Sequence, residues 1–201
     1  MSLFGKQKKQ KMKTLFISLK IFLFFTVLTG IVYPLFVTGI AQLAFPSKAN
    51  GSLVEKNHKT IGSELIGQQF DSTIYFSSRP SAVSYNPLPS GGSNYGLTNV
   101  KLKNLVAERR QKFVTFNQLD SLTEIPSEML FASASGLDPH ISPQAALLQV
   151  ERIAKVRNFD NGQTQRLFKL INELSEMPTF MFLGGERINV LLLNLKLDEI
   201  K

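Results

Sequence analysis

The longest apolar stretch of the chain, residues 21–45 (IFLFFTVLTGIVYPLFVTGIAQLAF), carries no charged side chain and is dominated by Phe, Leu, Ile and Val. At about 1.5 Å of rise per residue, a helix of this length exceeds the roughly 30 Å hydrocarbon core of a bilayer. No later stretch is long enough to cross again, so the pattern predicts a single transmembrane helix. Thr26, Gly30 and Tyr33 recur at helical spacing before Pro34, and Thr38 and Gln42 continue a small or weakly polar stripe after it. Such residues let a second helix approach closely and hydrogen-bond, which makes these five the candidate partner-helix contacts. Pro34 lacks a donor and its ring crowds the preceding turn, which predicts a kink.

Beyond the run the pattern changes. Leu53, Val54, Ile61, Leu65, Ile66 and Phe70 are spaced among Asn50, Gly51, Gly62 and Gly67, which reads as short strands joined by tight turns. Residues 71–99 mix aromatics, prolines and glycines without a sustained period, as an ordered loop or a docking surface does. From Asn99, Leu102, Leu105, Val106, Arg109 and Phe113 share one side of a helix. Ser142-Pro143 is a helix start, followed by the stripe Ala146, Leu147, Val150, Ile153 and Ala154. Another helix begins near Asn161, buries Leu167, Leu170, Ile171 and Leu174, and is stopped by Pro178. Residues 188–197 fit a strand, with Leu191, Leu193, Leu195 and Leu197 alternating. They fit equally a helix with Ile188, Leu191, Leu192 and Leu195 on one face. The expected fold is α+β: one N-terminal transmembrane helix followed by a single mixed extracytoplasmic domain.

Charge orients the helix. The first twenty residues hold six lysines (Lys6, Lys8, Lys9, Lys11, Lys13, Lys20) and no acid, whereas residues 46–52 carry only Lys48. The positive-inside rule then leaves residues 1–14 as a short basic cytoplasmic tail, 15–45 as the transmembrane helix with its membrane core at about 21–41, and 46–201 as an extracytoplasmic domain. A cleaved signal peptide shares the basic start, but its apolar region is usually about 7–15 residues and ends at a small-x-small site. Ala41, Gln42 and Leu43 do not form one. Removing the six N-terminal lysines from 23 basic residues leaves 17 against 15 acidic ones, so the net charge of +8 reports topology and no nucleic-acid partner is expected. About 155 residues remain for one core. Cysteine is absent, which excludes disulfides, thiol catalysis and cysteine-ligated metals.

Two stretches offer candidate chemistry. Ser90, Gly91, Gly92 and Ser93 form a Gly-rich loop whose backbone N–H groups are a candidate phosphate cradle, although no G-x-x-x-x-G-K-[ST] accompanies it and a turn linking Pro89 to the helix after Asn99 is the favoured reading. Ser133, Ser135, Asp138, His140 and Ser142 bring hydrolytic residue types together, yet a triad needs a base in reach of its nucleophile, and Asp-Pro and Ser-Pro are ordinary turn and cap signals. His58 and His140 are the only histidines and no carboxylate stands near either in a ligand spacing, so no metal site is expected. His58 reads as a surface residue. Arg79 and Glu186-Arg187 are charged points available to pair with each other or with a partner.

The blocks YPLFVTGIAQLAFP, ANGSLV, GSELIGQQF, YFSSRPSAVSYNP, SGGSNYGLTN, SASGLDPHISPQAALLQVERIA and GERINVLLLNLKLD, in this order, resemble the C subunit of Kdp-type potassium-transporting ATPases. The resemblance runs from about Gly30 to Asp198. It implies an accessory subunit of a high-affinity potassium uptake complex in a bacterial inner or plasma membrane. The implied partners are a P-type ATPase subunit that hydrolyses ATP, a channel-like subunit that binds potassium, a very small membrane peptide and the lipid bilayer.

In that family the C subunit is described as a catalytic chaperone, needed for a stable complex and raising the ATP affinity of the hydrolytic subunit. The resemblance thus implies no tightly bound cofactor, ATP acting through the hydrolytic subunit, and potassium as the transported ion. The chain has neither a D-K-T-G phosphorylation motif nor a T-V-G-Y-G filter, in keeping with a non-catalytic role. The family's proposed nucleotide contact resembles L-S-G-G-Q and falls here on Leu88, Pro89, Ser90, Gly91, Gly92 and Ser93, with Pro89 intruding and Ser93 in place of glutamine. With the domain outside the membrane, the expectation is a helix docked on the transporter, a domain capping the potassium entrance, and an allosteric effect on ATP. The competing readings are a membrane-anchored envelope adaptor and a hydrolase unrelated to transport.

Overall fold

The N-terminal apolar run is helical throughout in the computed structural model, which describes residues 3–200 and their side chains from residue 10 onward. Helix α1 (Leu3–Val27) already begins within the basic segment, whose Lys6, Lys8 and Lys9 side chains, like the first two residues of that tail, lie outside the described residues. A π-helical turn (Leu28–Val32) joins α1 to α2 (Tyr33–Ala44). At this junction the Tyr33 N–H donates to Leu28 O, five residues back. The wider turn stands immediately before Pro34, where a regular turn would crowd the ring and wait for an N–H that proline lacks. The expected disturbance therefore takes the form of a π-helical turn. Gln10–Ala44 is the one stretch, among the described residues, long and apolar enough to cross a membrane. A short turn of helix, α3 (Pro46–Ala49), follows.

The chain divides into two units, residues 1–52 and 53–201. The second opens with a hairpin of β1 (Leu53–Lys56) and β2 (Lys59–Ser63). Its two-residue loop, Asn57-His58, has φ of 53° and 60°, the left-handed pair that matches strand twist in a tight hairpin. His58 thus sits exposed at a turn, as expected. The ladder is irregular opposite Ile61, whose carbonyl accepts instead from Gln68 Nε2 at 2.8 Å.

The predicted helices are present. Asn99 caps α4 (Val100–Asn117) by accepting from Lys101 N–H. Ser142 caps α5 (Pro143–Leu147) through Ala145 N–H. Asp160 and Gln163 form a reciprocal capping box on α7 (Asn161–Leu174). The stripe after Ser142 differs from expectation: the helix ends at Leu147, which is 41 % exposed, and resumes as α6 (Val150–Val156), with Gln149 and Arg152 facing inward. At the C-terminus both readings hold in part. Strand β4 (Ile188–Asn189) pairs antiparallel with β3 (His140–Ile141), and the chain then turns into α8 (Val190–Leu197). Its buried face is Val190, Leu191, Leu193, Asn194 and Leu197, neither of the registers the leucines alone indicate.

One core is formed by Phe76, Phe113, Met129, Ile141, Val150, Ile153, Leu167, Ile171, Ile188, Leu193 and Leu197 with their neighbours. Against it lies the segment of residues 73–77, which sends Phe76 into the core and whose peptide groups are satisfied by side chains in place of a β-ladder. Arg152 donates to Thr73 O, and through Nη2 to Tyr75 O at 2.9 Å. Arg157 Nε donates to Ile74 O at 2.8 Å. Asn194 holds Phe76 at both ends of the residue, accepting from its N–H at 2.8 Å and donating to its carbonyl at 3.0 Å. Gln149 accepts from Ser77 N–H at 2.7 Å and donates to Ser77 O at 3.4 Å. Unpaired peptide groups away from water are costly, and around the buried Phe76 these side chains supply the partners.

Arg152 is the centre of the arrangement. It is 1 % exposed, and its remaining polar contacts are Asn117 Oδ1 at 2.8 Å and Gln149 Oε1 at 3.1 Å, with the Phe116 ring 4.5 Å away. Burial pushes its guanidinium down to about 10, which leaves it cationic at neutral pH. Replacing Arg152 by Ala removes the donor from the buried Asn117 and Gln149 side-chain oxygens as well as from two peptide carbonyls, and a stranded buried acceptor costs about 1–3 kcal/mol. Arg152→Ala is expected to lower stability by about 3 kcal/mol or more, and Arg152→Lys to recover less than half, because an ammonium cannot fork between these acceptors. Urea unfolding of the full-length chain in detergent, followed by circular dichroism, measures both.

Candidate functional site

Past Ser77 the segment leaves the core and forms, with residues 133–140, a layered loop surface. Arg79 Nη1 pairs with Asp138 Oδ2 at 2.6 Å. Asp138 Oδ1 accepts from His140 N–H at 3.0 Å and faces His140 Nδ1 at 3.3 Å. Ser81 Oγ donates to Gly136 O at 2.8 Å and accepts from Val83 and Tyr85 N–H, tying one loop to the other. The Tyr85 hydroxyl donates to Arg79 O. Arg79 therefore pairs with Asp138, and Arg187 with Glu176 at 2.9 Å, so the two charged points do not pair with each other.

Glycine is required where these layers touch. Gly136 has φ of +70°, and a Cβ there lies 2.5 Å from Val83 Cγ2. Gly67 donates its N–H to Leu137 O at 2.7 Å, an approach that a Cβ 2.6 Å from Asp138 O forbids. The Gly-rich loop is part of the same packing. Gly91 N–H donates to Ser135 O at 2.9 Å, and Gly92 lies against Ala134. Gly92 thus sits at a loop-to-loop contact and the Gly91 amide is engaged in it, while a Cβ on Gly91 would meet nothing within 4 Å.

The hydrolytic residue types do not assemble. Ser133 is buried, Ser135 Oγ accepts from Leu137 N–H, and Ser142 Oγ caps α5. Among the described residues no hydrogen bond joins a serine hydroxyl to His140, and no cluster of His, Asp or Glu is placed to hold a metal ion. His140 and Asp138 act together as a latch on the turn before β3.

Between residues 69–85 and α4 lies a cleft of about 580 Å3. Phe70, Phe113, Phe116 and Met129 supply its apolar lining, and Arg79, Arg109, Lys112, Asp71 and Glu108 its charged groups. Arg109 Nη1 donates to Leu130 O at 2.9 Å, and burial lowers its pKa. The cleft thus sets aromatic walls beside charged groups of both signs.

The five stripe residues belong to the N-terminal unit. Thr26 Oγ1 donates to Phe22 O within its own helix, Tyr33 is exposed, and nothing lies within 4 Å of where a Cβ on Gly30 would stand. Gln42 exchanges side-chain hydrogen bonds with Asn50. Since the π-helical turn adds about one residue to the winding, positions before and after it do not follow a single helical period. Missed by sequence reading were Gln149, Arg152, Asn194 and Asn117. The available signal was a polar residue inside each apolar stripe.

Burial pushes the Tyr85 phenol up to about 12, so it remains a neutral donor. Burial also tends to raise the Asp138 carboxyl, but hydrogen bonds from His140 and the Arg79 guanidinium outweigh it and hold the group below the usual carboxylate range. The unfolded carboxyl titrates near 3.9. With the folded value lower, its stabilising contribution is complete above that pH and is lost as pH falls through the folded value. In full-length chain unfolded by urea between pH 3 and 7, stability is expected to drop on the acid side. Asp138→Asn flattens part of that drop, and the remainder belongs to groups such as Asp198, held low by Arg157 and Lys56 against its burial.

Comparison with known proteins gives a consistent result. The family model described as K+-transporting ATPase, c chain, matches residues 15–199. A potassium-transporting ATPase KdpC subunit of Leptospira interrogans is 47% identical over 183 residues, 91% of this chain and 92% of that protein. The KdpC subunit of Trichlorobacter lovleyi is 47% identical over 193 residues, 94% of this chain and 99% of its own length. That of Escherichia coli O9:H4 is 42% identical over 186 residues, covering 91% and 96%.

Proposed function

This chain belongs to the KdpC family, the c chain of the K+-transporting ATPase, and from that membership we propose that it is a non-catalytic accessory subunit that raises the ATP affinity of the hydrolytic subunit without touching ATP. Its partners in this reading are the P-type ATPase subunit, the potassium-binding channel-like subunit and the small membrane peptide. The anchor docks on their membrane helices through Thr26, Gly30, Tyr33, Thr38 and Gln42. Residues 46–201 lie outside the bacterial inner or plasma membrane and cap the potassium entrance.

The observation that carries the indirect mechanism is the Gly91 N–H, which already donates to Ser135 O. A phosphate cradle needs such amides to be free. The lysine-rich start of an uncharged run supports the outside placement. ATP affinity then changes because this subunit binds one state of the complex more tightly than another. The coupling is of order 1–3 kcal/mol, a shift of about 5–150-fold.

The test uses the intact complex and a photoreactive ATP analogue, alongside the ATP dependence of hydrolysis. The expected result is labelling of the hydrolytic subunit alone, with the KM for ATP unchanged by Ser90→Ala and Ser93→Ala. An ATP-protected label on the peptide holding Ser90–Ser93 contradicts the proposal and restores direct contact.

A further inference from the structure

Leu105, Glu108, Arg109, Lys112, Phe113 and Phe116 of α4 line the cleft against residues 69–85. Their spacing of three and four is one side of a helix, so a single face carries two cations among apolar side chains. The opposite wall brings Phe70 and Arg79, and Met129 adds to the apolar lining. The charged groups differ in burial. Arg79 and Arg109 are half-buried, whereas the two acids of the lining, Asp71 and Glu108, are exposed. Neither guanidinium is fully used. Arg109 donates only to a neutral carbonyl, Leu130 O, and Arg79 is bonded through Nη1 alone, its buried Nε lacking an acceptor. Among the described residues Lys112 has neither a hydrogen bond nor an ion pair.

We propose that this cleft binds a small monocarboxylate with an aromatic or aliphatic body, its carboxylate taken by Arg109 and Lys112 beside Arg79 and its body laid against Phe70, Phe113 and Phe116. The site is independent of the ATP reading, since none of residues 90–93 lines it. Its volume of about 580 Å3 falls within the roughly 300–1,000 Å3 of small-molecule pockets, which combine apolar walls with a few placed polar groups. An entering anion gives half-buried guanidinium donors the acceptor they lack, and such charge-assisted bonds are roughly twice as strong as neutral ones. A planar carboxylate also matches the guanidinium fork. The acids nearby limit the charge of the ligand. A phosphate ester brings a second negative charge towards Asp71, Glu108 and the Asp138 partner of Arg79, which a single carboxylate avoids.

The test uses para-carboxybenzophenone, a photoreactive aromatic monocarboxylate, irradiated with the full-length chain in detergent and again with the assembled complex, labelled peptides being mapped by mass spectrometry. Saturable labelling within residues 69–85 or α4 is expected in both, with the neutral amide of the same probe binding there about tenfold more weakly or worse. Lys112→Glu is expected to raise the half-saturating concentration by about tenfold or more, since the carboxylate then meets a like charge. Its circular dichroism stays unchanged, because Lys112 is exposed and unpaired. Labelling that does not saturate, that falls elsewhere on the chain or that the neutral amide matches overturns the proposal. So does a Lys112→Glu chain that binds as the parent does, and so does loss of the label on assembly, which assigns the cleft to a segment of a partner subunit.

Discussion

Residues 73–77 lie along the core without a neighbouring strand and send Phe76 into it, and the domain depends on how their peptide groups are satisfied. Arg152, Arg157, Gln149 and Asn194 reach them from α6, from the turns beside it and from α8. The blocks that carry the family resemblance, YFSSRP, QAALLQVERIA and INVLLLNLKLD, are the ones that meet here. A ladder partner would have left the far side of the segment open to another strand. Side-chain donors end the pairing, and they fix the segment in one register because each amide and guanidinium reads a particular peptide group. Phe76 is thereby set in the core at 0 % exposure.

That register carries to the surface. Arg79 follows Ser77 by two residues, so holding Ser77 sets the distance over which Arg79 reaches Asp138 and Ser81 reaches Gly136. The loops 78–93 and 133–140 then pack through glycine at Gly67 and Gly136 with no secondary structure between them. The result is a loop surface tied by hydrogen bonds and, beside it, an amphiphilic cleft against α4. Serines cap helices or bridge loops, the Gly91 amide is engaged, and the one imidazole beside a carboxylate holds a turn.

Much of this was legible in the residue pattern because it is local. The apolar run, the caps at Asn99 and Ser142, and the helix near Asn161 each depend on a few neighbouring residues, and all are present. What was not legible is long-range and polar. Gln149 and Arg152 sit one turn apart within an apolar stripe, where periodicity counts them as interruptions. Their burial depends on Thr73 to Ser77, more than seventy positions away in the chain. For the candidate site, glycines at 91 and 92 read alike whether they cradle a phosphate or let two loops touch. The position of Ser135, which takes the Gly91 amide, is a long-range fact that the glycines do not announce.

The account stands most directly on where the Gly-rich loop lies relative to the membrane. The chain has no cysteine, so Ser93→Cys supplies a single thiol in a blank background. Ser93→Cys is assembled in the complex in intact cells, or in spheroplasts where an outer membrane intervenes, and exposed to a membrane-impermeant thiol reagent. Labelling without lysis is the result the account predicts, since it puts the loop on the side away from ATP. Labelling only after permeabilisation, with the same site reactive in the unfolded chain, contradicts the topology and the indirect mechanism together.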